Sequence, residues 1–152
     1  MAGNLFPGQI MKKLMLLCLS ALFAVAMVGC SRHSPEERAE RALPKISVTS
    51  MMVQISRTPA PNALIQPDGT LRIDDIVLPQ SDEVRFELQQ LFGHLQLQRQ
   101  QALNQAVQDS RNTPVKLQST PQIDELRDQL LQQVPPLTDY RESFQNLRGE
   151  WR

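Results

Sequence analysis

Polar and apolar positions along this chain fall into three regimes. From Leu14 to Val28 no residue is charged, and at Ser31-Arg32-His33-Ser34 the chain turns abruptly polar. Behind that boundary, Ile46 and Val48 alternate with Ser47 and Thr49, the two-residue period of a half-buried strand. After Met51-Met52 the alternation resumes on the other parity at Val53 and Ile55, which reads either as a β-bulge or as two short strands. Thr58-Pro59-Ala60-Pro61-Asn62 interrupts any regular element. Leu64-Ile65 and Leu71-x-Ile73 then flank Gln66-Pro67-Asp68-Gly69-Thr70, where proline and glycine supply turn geometry, so a β-hairpin is predicted. Ile76-Val77-Leu78 extends it past the acidic corner Asp74-Asp75.

Helical periods take over at Ser81, an N-cap followed by Asp82 and Glu83 at the positive end of a helix predicted to run to about Asp109. Val84, Leu88, Leu91, Leu95, Ala102 and Ala106 form its apolar stripe, widened by Phe92, Leu103 and Val107. Gly93 weakens its middle, Gln98 interrupts the stripe, and the surrounding face is rich in glutamine. Such a helix is either half of an internal helical pair or a surface for a partner helix, and internal packing is the favoured expectation. Thr120-Pro121 opens a second helix carrying Ile123, Leu126, Leu130 and Val134, and Pro135-Pro136 stops it. Tyr140, Phe144, Leu147 and Trp151 follow at i, i+4, i+7 and i+11, predicting a last short helix with one aromatic stripe. Core packing is the favoured role for that stripe; docking on another protein is the alternative, because aromatics concentrate in interface cores.

The uncharged N-terminal run has its own meaning. Lys12 and Lys13 precede it and Gly29-Cys30 ends it, the layout of a secretory signal with basic start, apolar middle and small residue at the cut. It is short for a membrane span, which needs about 20 apolar residues. Met11 begins such a signal more naturally than Met1, so residues 1–10 read as a misassigned start or an elongated basic region. Met27-Val28-Gly29-Cys30 resembles the lipobox of bacterial lipoproteins, with Met27 where that family usually has leucine. Cys18, preceded by Leu17, fits the pattern poorly.

The resemblance implies that the chain is cut between Gly29 and Cys30 and that Cys30 carries three acyl chains. Because one chain binds a membrane marginally and two or more hold firmly, the attachment is then permanent. It also implies sorting: Ser31, in place of the aspartate that retains many such proteins in the inner membrane, favours the outer membrane, facing the periplasm. The hairpin Asp68-Gly69-Thr70-Leu71-Arg72-Ile73 with the long helix after it resembles periplasmic proteins of proteobacteria, and that likeness implies no function.

Composition narrows the rest. All 16 acidic residues lie beyond residue 29 and 14 of the 16 basic ones do, so the mature part carries a net charge of −2 and no basic patch that suggests nucleic acid. With Cys30 acylated no thiol remains for a disulfide. Ser34-Pro35-Glu36-Glu37 reads as a capping box opening a short helix that Pro44 ends, or as part of a solvated tether. Asp68, Asp74 and Asp75 lack calcium-loop spacing, and turn solvation accounts for them. The only histidines, His33 and His94, lie far apart, and no nucleophile elbow, metal-ligand spacing or phosphate loop is present.

These readings predict an α+β protein: a signal over residues 1–29, a lipidated tether over 30–44, and one small periplasmic domain over 45–152 in which a short antiparallel meander precedes two or three amphipathic helices. The expected function is a non-enzymatic envelope module, without cofactor or metal, that binds another envelope protein through its helices. The alternative is a small-ligand or lipid-binding module using the groove between sheet and helices.

Overall fold

A computed structural model describes Ala39, residues 42–106 and residues 113–151. The signal segment, Gly29, Cys30 and the Ser34–Glu37 box lie outside the described residues, as do Val107, Asp109 and Asn112. Every element below belongs to the unit Arg41–Arg152.

The fold is α+β. Five short strands come first: β1 (Lys45–Val48), β2 (Val53–Ser56), β3 (Ala63–Ile65), β4 (Leu71–Ile73) and β5 (Ile76–Val77). Helix α1 (Asp82–Gln105), β6 (Val115–Lys116), α2 (Pro121–Gln133), a 3-10 helix (Pro135–Gln145) and β7 (Leu147–Gly149) complete the chain. The strands form one seven-stranded sheet in the order β5-β4-β3-β2-β1-β7-β6.

The parity change after Val48 marks two strands and not a bulge. Val48 pairs with Val53, and residues 49–52 form the turn between them. The Thr49 hydroxyl holds that turn by accepting from the Met51 and Met52 amides and donating to the Met52 carbonyl. The predicted hairpin is present as β3 and β4, with Ile65 opposite Leu71. Gly69 closes its turn at φ +77° and donates to the Gln66 carbonyl at 3.0 Å. Asp74 and Asp75 turn the chain from β4 to β5 with φ of 51° and 62°, a left-handed region that short polar side chains tolerate.

Ser81 caps α1 by accepting from the Val84 amide, and Thr120 caps α2 by accepting from the Ile123 amide. One sheet face carries Ile46, Val48, Val53, Ile55, Ala63, Ile65 and Leu147. These merge with Leu88, Leu91 and Leu95 of α1, Ile123 and Leu130 of α2, and Leu137 and Phe144 of the 3-10 helix in a single core. α1 therefore packs internally through the stripe its sequence shows, and it runs unbroken through Gly93 to Gln105.

Pro135-Pro136 ends α2 as expected and also begins the 3-10 helix, since a missing N–H is harmless in a first helical turn. Two expectations are corrected. The last segment is not one helix through Trp151: it leaves the 3-10 helix at Gln145 and becomes β7, which lies parallel to β1 with Ile46 opposite Leu147. The strands do not all precede the helices, because β6 and β7 from the helical half widen the sheet. Ser143, fully buried, donates to the Ser56 carbonyl, and Asn146 donates to that of Pro44, fastening the C-terminal region to β1 and β2.

Candidate docking surface

The outward side of α1 is one surface that the fold's own packing does not account for; the edge strand β5, with Ile76 and Val77 exposed, is another. At 3.6 residues per turn, Phe86, Gln90, Gly93, Leu97, Gln100 and Asn104 line up opposite the buried stripe. All six are exposed, Phe86 at 59% and Leu97 at 51%, and none is charged. A β-carbon at Gly93 meets nothing within 4 Å, so the stripe has a flat centre between two apolar side chains.

Both flanks of the stripe are tied down by amides. On one side Gln89 donates to the Asp68 carbonyl at 2.9 Å and Gln96 to the Thr49 carbonyl at 2.5 Å. These bonds seat the β3–β4 and β1–β2 turns against α1, and the second turn carries exposed Met51 and Met52. On the other side Gln133 of α2 donates to Glu87 at 3.0 Å. The glutamines flanking the outward face are thus structural, which residue type alone does not reveal. Sequence reading also missed Arg99: it occupies the next position of the buried stripe, 8% exposed, and its Nε donates to the Glu150 carbonyl at 2.6 Å.

The predicted aromatic stripe goes elsewhere. Tyr140, Phe144 and Leu147 are 2%, 4% and 3% exposed, so the core consumes them and they offer no docking face. Tyr140 donates its hydroxyl to the Pro61 carbonyl at 2.5 Å, and burial pushes its pKa above the ordinary phenol value. Trp151 is half-buried, its indole N–H donating to the Thr113 carbonyl at 2.9 Å. Because β7 departs from helical geometry, the four residues never form one stripe.

Two open clefts adjoin α2. The larger, about 470 Å³, is lined by Arg127, Asp128, Leu131, Gln132, Arg141 and Gln145. Arg127 bonds Asp128 at 2.8 Å and Asp124 at 2.6 Å, which raises its pKa and lowers that of Asp128. The second cleft, about 370 Å³, is walled by Leu78, Pro79, Val84, Val134, Pro135 and Pro136, with the Gln80 amide nitrogen buried beside it without a hydrogen-bond partner. His94 is half-buried on α1. Among the described residues, no three His, Cys, Asp or Glu side chains gather closely enough to hold a metal, and no helix is long and apolar enough to cross a membrane.

Asp68 serves its turn. The Thr70 amide donates to one carboxylate oxygen at 3.0 Å and the Thr70 hydroxyl to the other at 2.9 Å, which holds this carboxyl below the usual carboxylate range. A depressed folded pKa brings stability that is present above the ordinary carboxylate value and is lost as pH falls through the folded one. Asp68→Asn is therefore expected to narrow the fall in Tm between about pH 7 and about pH 3, measured by thermal melts beside the wild type. An unchanged acid-induced fall removes Asp68 as a contributor.

No known protein family, curated protein or solved structure matches this chain.

Proposed function

We propose that this protein is a lipid-anchored module of the bacterial envelope that receives a protein helix on the outward face of α1 and has no catalytic role. One observation carries the reading: an exposed helix face that stays uncharged from Phe86 to Asn104, with two large apolar side chains on it. Solvent-facing helix surfaces are ordinarily laced with charge, and single exposed apolar residues need no explanation. Two of them on one uncharged stripe, with methionines on the adjoining turn, make a surface suited to a helix laid in a groove.

The address of the module rests on Met27-Val28-Gly29-Cys30. Acylation of Cys30 and Ser31 after it favour the outer membrane facing the periplasm, with the inner membrane as the lesser alternative. The chain from Cys30 to Pro44 then acts as the tether. In the membrane fraction the intact mass is expected to be that of a chain starting at Cys30 plus its acyl groups, and Cys30→Ala is expected to lose that mass and leave the membrane. An unmodified chain that stays in the membrane overturns the anchor.

The docking reading is tested separately. A photo-cross-linking residue at Leu97, in cells, is expected to trap a protein, and Phe86→Glu is expected to reduce the product at least tenfold while leaving Tm unchanged. A cross-linker at Lys116, exposed on edge strand β6 and not part of the stripe, is the control. Equal products from both positions overturn the reading.

A second reading rests on the cleft beside Gln80, whose unpartnered amide nitrogen among apolar walls suits a small ligand with one hydrogen-bond acceptor. Native mass spectra of the purified protein distinguish it: a co-purified small molecule supports this reading, and bare protein opposes it.

A further inference from the structure

We infer that the helix received by α1 is α1 of a second copy, lying antiparallel to the first. The inference rests on the reading of the outward face as a docking surface and goes on to name its occupant. The stripe Phe86, Gln90, Gly93, Leu97, Gln100, Asn104 steps by four and three residues in turn, the spacing of a two-helix seam. A two-fold axis passing level with the midpoint between Leu91 and Phe92 maps this seam onto itself. Phe86 then lies against the partner's Leu97, and by symmetry the same layer forms again at the other end. Between those layers Gln90 lies against the partner's Gly93, where the open space above the glycine admits the longer amide.

Charge selects the orientation. The acidic residues of α1 all lie in its N-terminal part, as Asp82, Glu83 and Glu87, and no acidic residue follows them in the helix. In a parallel pair Asp82 and Glu83 of both copies crowd together and the two positive helix ends align, an unfavourable arrangement. In the antiparallel pair the turn and a half bearing Asp82, Glu83 and Glu87 comes level with residues 96–101 of the partner, which include no acidic residue, so the carboxylates of the two copies stay apart. A partner helix of unrelated sequence has no reason to match this order of large, amide, small, large positions, whereas a second copy matches it by symmetry.

Size fits the proposed address. A single helix crossing with a methionine-bearing turn beside it is at the small end for a protein interface, where stable complexes bury about 1,200–2,000 Å². Tethering two copies to one membrane raises their effective concentration, so a weak self-association becomes populated there without new contacts.

The test uses the full-length protein in its own membranes. Two tagged copies are co-expressed, one bearing Phe86→Cys and the other Leu97→Cys, and the cells are mildly oxidised. The expected result is a mixed 86–97 disulfide at least tenfold more abundant than either same-residue product, since positions 86 of the two copies lie roughly 16 Å apart along the helices at 1.5 Å per residue. The chain without introduced cysteines sets the background from Cys18 and Cys30, and unchanged Tm values show that both variants fold. Dominant same-residue products overturn the antiparallel register. Absence of any cross-linked dimer, with a different protein still trapped from Leu97, overturns self-pairing and leaves the docking face standing. Absence of both removes the face as well.

Discussion

Leu91→Ala is expected to lower the folding stability of this protein by about 2–5 kcal/mol, because it deletes a fully buried side chain and leaves a cavity that neighbours fill only in part. Leu91 faces the shared core at the middle of α1, where the helix packs on α2 and covers the sheet. Domains of this size have only about 5–15 kcal/mol of total stability, so the loss is a large fraction of it. Thermal melts of the two proteins side by side are expected to show a Tm lower by roughly 10 °C or more. Leu97→Ala supplies the contrast: the same side chain, six residues further along the same helix, is 51% exposed and its removal is expected to change stability by less than about 0.5 kcal/mol. Similar losses at both positions contradict the assignment of inner and outer faces on which the docking surface depends.

Gly69→Val is expected to cost more than about 2 kcal/mol, from two causes that add. Gly69 sits at φ +77°, where a β-branched residue is strained. A β-carbon there also collides with the backbone carbonyl of Arg85 and crowds the Arg85 side chain, so the β3–β4 turn has to withdraw from α1. Withdrawal breaks the bond from Gln89 to the Asp68 carbonyl. Urea unfolding is the direct measurement, with a lower midpoint expected at an unchanged slope. Gly93→Ala is the matched control: Gly93 lies in regular helix with open space around it, and alanine there is expected to be neutral or slightly stabilising. A harmless Gly69→Val rules out the close seating of turn on helix.

Much of the local structure was legible because its causes are local. Ser81 and Thr120 cap the helices that follow them, and Pro67 and Gly69 bound a turn, through geometry confined to a few residues. The period of Val84, Leu88, Leu91 and Leu95 announced the buried side of α1 in the same way. Tyr140, Phe144, Leu147 and Trp151 misled because their spacing suits a helix, yet Leu147 belongs to a strand whose partner, Ile46, lies about a hundred residues earlier. No property of residues 146–150 by themselves announces that pairing. Arg99 escaped for a related reason: its burial depends on the Glu150 carbonyl, supplied from the far end of the chain.

The candidate site divides along the same line. The proposed export and lipidation of Cys30 rest on sequence alone; sequence by itself determined the α+β class, the places of most strands and helices, and the apolar side of α1, since each follows from the order and chemistry of neighbouring residues. Only the tertiary structure decided which surface remains free. It sank Tyr140 and Phe144 into the core and set Gln89, Gln96 and Glu87 to work fastening α1 to its neighbours. Phe86, Gly93 and Leu97 were left facing outward. Burial is a property of what packs against a residue, and those partners come from distant parts of the chain. The same glutamine and leucine letters therefore carry opposite roles on two sides of one helix.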